Sequence, residues 1–118
     1  MDSSSAIAAL SSLAQPTRLD VFRLLVKHEP NGLAAGEIAH AVGVPQTTLS
    51  SHLSILWHAG MVSSARDGRS IVYRADLECF RALTLFLFKD CCGGRAEICA
   101  PVIAELSSCC VKEVRHGR

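Results

Sequence analysis

The chain has 118 residues, 49% of them hydrophobic, and its twelve Lys and Arg against eleven Asp and Glu leave a formal charge of +1. That length suffices for one domain with a modest core, and the near-neutral balance does not mark the chain as a nucleic-acid binder in bulk, so any basic footprint has to be local. The longest nearly apolar run, Ala82 to Phe88, is too short to span a bilayer, and Met1-Asp2-Ser3-Ser4-Ser5 lacks the basic and apolar parts of a signal peptide. No membrane association and a cytoplasmic location are therefore expected. In that reducing compartment the six cysteines are free thiols, ligands or redox sensors.

Ser4 to Leu13 reads as a small-residue amphipathic helix with Ile7, Leu10 and Leu13 in register, too short to be stable unless it packs on something. Gln15-Pro16-Thr17-Arg18 opens a second helix with Pro16 near its first position. Leu19, Phe22, Leu25 and Val26 form its apolar face, and Glu29-Pro30-Asn31-Gly32 ends it. Leu33 to Val42 is a third helix closed by Gly43. After a break at Val44-Pro45, with Pro45 at the first helical position, Gln46 to Leu56 forms a longer one. Leu49, Leu53 and Leu56 recur at helical spacing as one buried stripe, which places Thr47, Ser51 and Ser54 on the opposite face. The pair reads as a helix-turn-helix. A small, polar exposed face admits base edges of the major groove, though the same pattern suits a solvated helix of any all-α domain. Trp57, beside the stripe, is most simply packing.

Gly60-Met61-Val62 closes that helix and starts a hairpin: Met61 to Arg66, a turn at Asp67-Gly68, then Arg69 to Arg74. The fold class is therefore mostly α with a small β-hairpin, a winged helix-turn-helix. Arg66 and Arg69 flank Asp67 at the tip, where they either reach phosphates beside the groove or form an internal Arg–Asp pair on a solvated turn. Asp76 caps a last long helix in which Leu77, Phe80, Leu83, Leu85, Phe86, Leu87 and Phe88 leave almost no polar face. Burying such a helix in so small a protein calls for a second copy, a homodimer through the N-terminal and last long helices. Cys79 falls within this pattern as a small core residue.

The run Lys89 to Pro101 carries the chemistry. Gly93-Gly94 breaks the helix and Pro101 starts a new one, so that Cys99 faces Cys91 and Cys92, with Lys89 and Arg95 favouring the thiolates. Three sulfurs without a fourth strong ligand suit a soft ion of pyramidal or trigonal geometry, arsenic(III) or antimony(III), better than structural zinc. Buried thiols or disulfide-forming redox cysteines are the alternatives. Cys109 and Cys110 are read as accessory or inert. The histidines at 28, 40, 52, 58 and 116 lack the pairing of a zinc site, and His52 is read as supporting the fourth helix or touching phosphate. No Cys-x-x-Cys, carboxylate pair or phosphate loop points to an enzyme, and no organic cofactor is expected.

Leu13-Ala14-Gln15-Pro16-Thr17-Arg18-Leu19, the run Leu49 to Val62 with its Ser-x-His-Leu core, and Arg66-Asp67-Gly68-Arg69 with Tyr73 resemble the ArsR/SmtB family of winged-helix metalloregulatory repressors, over about Ser4 to Phe88. The resemblance implies a homodimer that binds double-stranded operator DNA when metal-free and leaves it when metal binds. It also implies DNA contacts from Gln46, Thr47, Ser50, Ser51 and His52. Two family sensing sites are missing: Ala34 to Ala39 holds no cysteine, and Leu77 to Lys89 offers no histidine. The cysteine-rich segment, about 89–110, is instead similar to that of members that bind trivalent arsenicals near the C-terminus. Val44 stands where the family often has a capping Ser. The expectation is one domain over 1–118 acting as an arsenic(III)-responsive repressor. A thiol-based redox or reactive-sulfur repressor on the same fold is the alternative, and a thiol enzyme stands behind both.

Overall fold

The order of elements is α1 Ser3–Leu13, α2 Pro16–Lys27, β1 Leu33–Ala34, α3 Ala35–Val42, α4 Gln46–His58, β2 Val62–Asp67, β3 Ser70–Ala75 and α5 Leu77–Cys91. The structure, a computed structural model, describes residues 1–91, 97–98 and 100–106, with side chains described up to 88 and again from 97. The chain divides into two compact units, Met1–Leu83 and Thr84–Arg118. The first holds the winged helix; in the second, residues 97–98 and 100–106 are helical.

Local chemistry sets the helix ends. Asp2 accepts from the Ser5 N–H at 2.8 Å, Gln15 from Arg18 N–H at 2.8 Å with Pro16 as the first helical residue, and Asp76 from Cys79 N–H at 3.0 Å. Each satisfies an orphan donor of a first turn. At α3 the Glu37 carboxylate accepts from the Ala34 N–H at 2.9 Å, and Gly43, at φ +74°, ends the helix in the left-handed conformation. Pro45 differs from expectation. It is the N-cap of α4, at φ −62° and ψ 146°, one position ahead of the first helical residue, so that helix starts without a side-chain cap.

The sheet is antiparallel in the order β1-β3-β2. Two expectations are corrected here. Leu33 and Ala34 are not the first turn of a helix but a two-residue strand opposite Tyr73 and Val72. Asp67 pairs with Ser70, so the turn is Gly68-Arg69 rather than Asp67-Gly68. Gly68 has φ +64° and among the described residues no non-glycine residue has positive φ, the glycine-first pattern of a II′ turn. Gly32, at φ +73°, enters β1 where a Cβ would stand 2.5 Å from the Tyr73 carbonyl oxygen. Only glycine passes there.

Val21, Phe22 and Leu25 of α2, Ile38 of α3, Leu49, Leu53 and Leu56 of α4, and Met61, Val62, Ala75 and Leu83 form the core. Each large side chain among them contributes about 1.5–3 kcal/mol relative to exposure. The α4 stripe is buried as expected, whereas α1 turns the other way. It buries Ala6, Ala9 and Ser12 and leaves Ile7 and Leu10 66% and 42% exposed. Small residues bring α1 close, and the Ser12 hydroxyl satisfies itself on the Ala9 carbonyl at 2.7 Å. Phe80 stacks on Phe22 with ring centroids 5.4 Å apart, which fixes the start of α5 against α2. Among the described residues no helix is long and apolar enough to cross a membrane.

Candidate nucleic-acid interface

With Leu49, Leu53 and Leu56 locked inward, the geometry of α4 leaves Gln46, Thr47, Ser50, Ser51 and Ser54 exposed. These side chains are short, uncharged donors and acceptors, the set that reaches base edges without a bulky barrier. His52 stands apart from them. It is half-buried, with Nδ1 3.4 Å from Nη1 of Arg18. Arginine has no acceptor, so Nδ1 receives and the imidazole proton resides on Nε2. The same guanidinium donates from Nε to the Ser12 carbonyl at 2.7 Å, tying the end of α1 to α4. Arg18 escaped the sequence reading because nothing in the pattern links residues 18 and 52.

On the wing, Arg66 lies in β2 opposite Ile71 and Arg69 in the turn, both exposed. Among the described residues neither forms an ion pair, so the internal Arg–Asp pair weighed above is not made. The base of the wing is clamped. Arg74 donates from Nε and Nη2 to the two carboxylate oxygens of Glu29, at 3.0 and 2.7 Å. This two-pronged contact holds the Glu29 carboxyl below the usual carboxylate range.

Between α4 and the sheet runs a furrow made of two adjoining hollows. One, of about 340 Å³, is lined by Ala35, Gln46, Thr47, Ser50, Leu53 and Tyr73. The other, of about 240 Å³, is lined by Ser50, Leu53, Ser54, Trp57, Ser64 and Tyr73. Trp57 does not fill the core: it is 50% exposed, with its ring edge against His58 at a centroid distance of 5.1 Å.

The expected metal ligands Cys91, Cys92 and Cys99, like Cys109 and Cys110, lie outside the residues whose side chains are described. Among the described residues no group of three His, Cys, Asp or Glu side chains converges on a point. Cys79 is half-buried with its Sγ 3.7 Å from the Met61 sulfur. Burial first, and then the Asp76 charge, push its thiol up, away from the thiolate a metal requires.

Comparison with known proteins gives a consistent picture. A family model described as a helix-turn-helix domain matches residues 13–65. The nodulation protein NolR of Rhizobium meliloti is 43% identical over 72 residues, 61% of this chain and 57% of that protein. The chain spans a little over half the length of the first curated relatives it matches, 57% and 54%. The crystal structure of NolR from Sinorhizobium fredii is 35% identical, covers 71% of this chain and 82% of its own, and superposes with a TM-score of 0.58. The homodimeric winged helix-turn-helix DNA-binding domain of Mb0332 from Mycobacterium bovis, described as a possible ArsR-family transcriptional regulator, is 28% identical over 70% of this chain and 75% of its own, with a TM-score of 0.61. A possible transcriptional regulator for arsenical resistance is 29% identical over 67% and 79%, with a TM-score of 0.59.

Proposed function

This chain belongs to the ArsR/SmtB family of winged-helix transcriptional regulators, and from that premise we propose that it is a homodimeric repressor that binds operator DNA and releases it when arsenic(III) or antimony(III) meets Cys91, Cys92 and Cys99. The observation that carries the DNA reading is the exposed polar face of α4, Gln46 to Ser54, backed by three buried leucines and flanked by Arg66 and Arg69 on the wing. Gln46, Thr47, Ser50 and Ser51 read bases or hold phosphate, His52 offers Nε2–H beside them, and the two arginines bind phosphates across the groove edge.

The dimer rests on apolar surface that the protomer does not cover, Ile7 and Leu10 of α1 and Leu77 of α5. A two-fold partner buries these side chains and sets two copies of α4 about one helical turn of DNA apart, 34–36 Å. The inducer reading rests on ligand chemistry. Three thiolates with no fourth ligand favour a trivalent, thiophilic ion, and a reducing cytoplasm keeps them free to bind it. The solved relative described for arsenical resistance supports the same choice. Cys91 is the last residue of α5, so an ion held there acts on the helix that contributes to the dimer. A coupling of about 1–3 kcal/mol weakens DNA binding roughly five- to 150-fold.

The test is fluorescence anisotropy of the reduced protein on the DNA upstream of its own gene, titrated separately with arsenite, zinc and an oxidant at one salt concentration. Arsenite alone is expected to release the DNA, and Cys99→Ser to abolish that release. Release by oxidant alone replaces the metalloid sensor with a thiol redox switch on the same fold.

A further inference from the structure

We propose that the furrow between α4 and the wing seats the sugar–phosphate backbone of one DNA strand, with Tyr73, which lines both hollows, and Trp57, at the far end, as uncharged contacts. This rests on the reading of the chain as a DNA-binding protein and extends the interface to residues that reading did not assign.

Thr47, Ser50, Ser54 and Trp57 follow one another at steps of three or four, so the stripe that begins with short polar side chains ends in a half-exposed indole. The opposite wall is Ser64 of β2 and Tyr73 of β3. These two are directly paired across the strands, which sends both side chains to the same side of the sheet. Both line the hollow that Trp57 lines.

The lining chemistry selects the occupant. Neither hollow has a carboxylate, which would repel phosphate, and neither has a cation. What the furrow presents is hydroxyl groups and an indole N–H, neutral donors of the kind that bind phosphate oxygens and sugar without reading sequence. An aromatic face beside them suits the apolar side of a deoxyribose. From Gln46 to Trp57 the furrow runs about 16 Å along α4, at 1.5 Å per residue. It is continuous at one end with the reading face and walled by the hairpin that carries Arg66 on β2 and Arg69 in its turn, the path a backbone takes between a helix in one groove and a wing on the next.

Uncharged contacts release no counterions. Trp57→Ala therefore weakens binding to any duplex about tenfold while leaving the slope of log affinity against log salt unchanged, whereas substituting one wing arginine, which removes a phosphate contact from each protomer of the dimer, lowers that slope by about 1.8.

The experiment uses the full chain and a random-sequence duplex about three helical turns long at low salt. Anisotropy reports binding, and acrylamide quenching of the single tryptophan reports its exposure. Wild-type quenching is expected to fall severalfold with the same midpoint as the anisotropy, and the affinity of Trp57→Phe, which keeps an aromatic ring but loses the N–H, to lie between those of wild type and Trp57→Ala. Binding with undiminished quenching and wild-type affinity in Trp57→Phe overturns the furrow and leaves the DNA reading standing. No binding by the wild-type protein overturns both. Should Trp57→Ala not fold, quenching of the wild type and the affinity of Trp57→Phe decide.

Discussion

Arg18 and His52, 34 residues apart, meet at 3.4 Å between the guanidinium Nη1 and the imidazole Nδ1, while the same guanidinium holds the Ser12 carbonyl at 2.7 Å. The end of α1 and the middle of α4 are thus fastened to one side chain. Arg18→Ala should lower stability by about 1–2 kcal/mol through the lost charge-assisted hydrogen bond and loosen the seat of α4. Thermal denaturation measures the first. Anisotropy on DNA measures the second, expected as weaker binding with an unchanged salt slope, since no phosphate contact is removed.

The clamp of Arg74 on Glu29 makes a pH prediction with a definite sign. Arg74 holds the Glu29 carboxyl below its ordinary value, so the stabilisation is fully present above about pH 4.3 and is lost as pH falls through the lower value of the folded state. Melting temperatures followed from about pH 6 to pH 3 should decline more steeply for the wild type than for Glu29→Gln. Equal slopes for the two proteins count against the clamp.

Gly32 and Gly68 both have positive φ but differ in their surroundings. At Gly68 a Cβ meets nothing within 4 Å, so Gly68→Ala costs only backbone strain, about 1–2 kcal/mol. At Gly32 the Cβ also strikes the Tyr73 carbonyl and the Arg74 and Val72 side chains at 2.5–2.9 Å, so Gly32→Ala should cost clearly more and detach β1 from β3. Urea denaturation of the two variants ranks them, and the reverse order contradicts the packing.

Asp76 is the only side chain that caps the start of α5 among the described hydrogen bonds. Asp76→Ala should destabilise by about 1 kcal/mol, while Asp76→Asn, which keeps the acceptor, should cost less. Because the Asp76 charge also raises the Cys79 thiol, either change should bring that thiol closer to its ordinary value, readable as faster alkylation of a Cys79-only variant at a fixed alkaline pH.

What the sequence made legible follows from period. The leucines at 49, 53 and 56 repeat at helical spacing and are buried, and the serines between them are exposed, because one helix face has one fate. Ile7 and Leu10 obey the same periodicity yet face solvent in the protomer. Periodicity marks an apolar face without saying whether the chain itself or a second copy covers it. β1 is illegible since two residues carry no period, and its existence depends on Tyr73 and Val72, 40 and 38 residues away from the partners Leu33 and Ala34. The turn moved by one residue because pairing of Val62 with Ala75 fixes the hairpin, and the Asp-Gly signal yields to that register. Trp57 adjoins the leucine stripe, which favours packing, yet it also continues the serine stripe of α4, and that face sets it outside. The cysteine ligand set rests on chemistry and spacing, with its side chains beyond the described residues.

The order β1-β3-β2 leaves β2 on the outside of the sheet, its backbone donors and acceptors open on one side, and every residue from Ser63 to Asp67 exposed. Such a margin invites another chain to add itself as the next strand. Here the margin is short, carries Ser63 and Ser64 in place of the β-branched apolar residues that drive stacking, and ends on Arg66 and Asp67. These features guard the protein at high concentration. Replacing the two serines with valine would raise the strand propensity of this open margin and favour edge-to-edge aggregation.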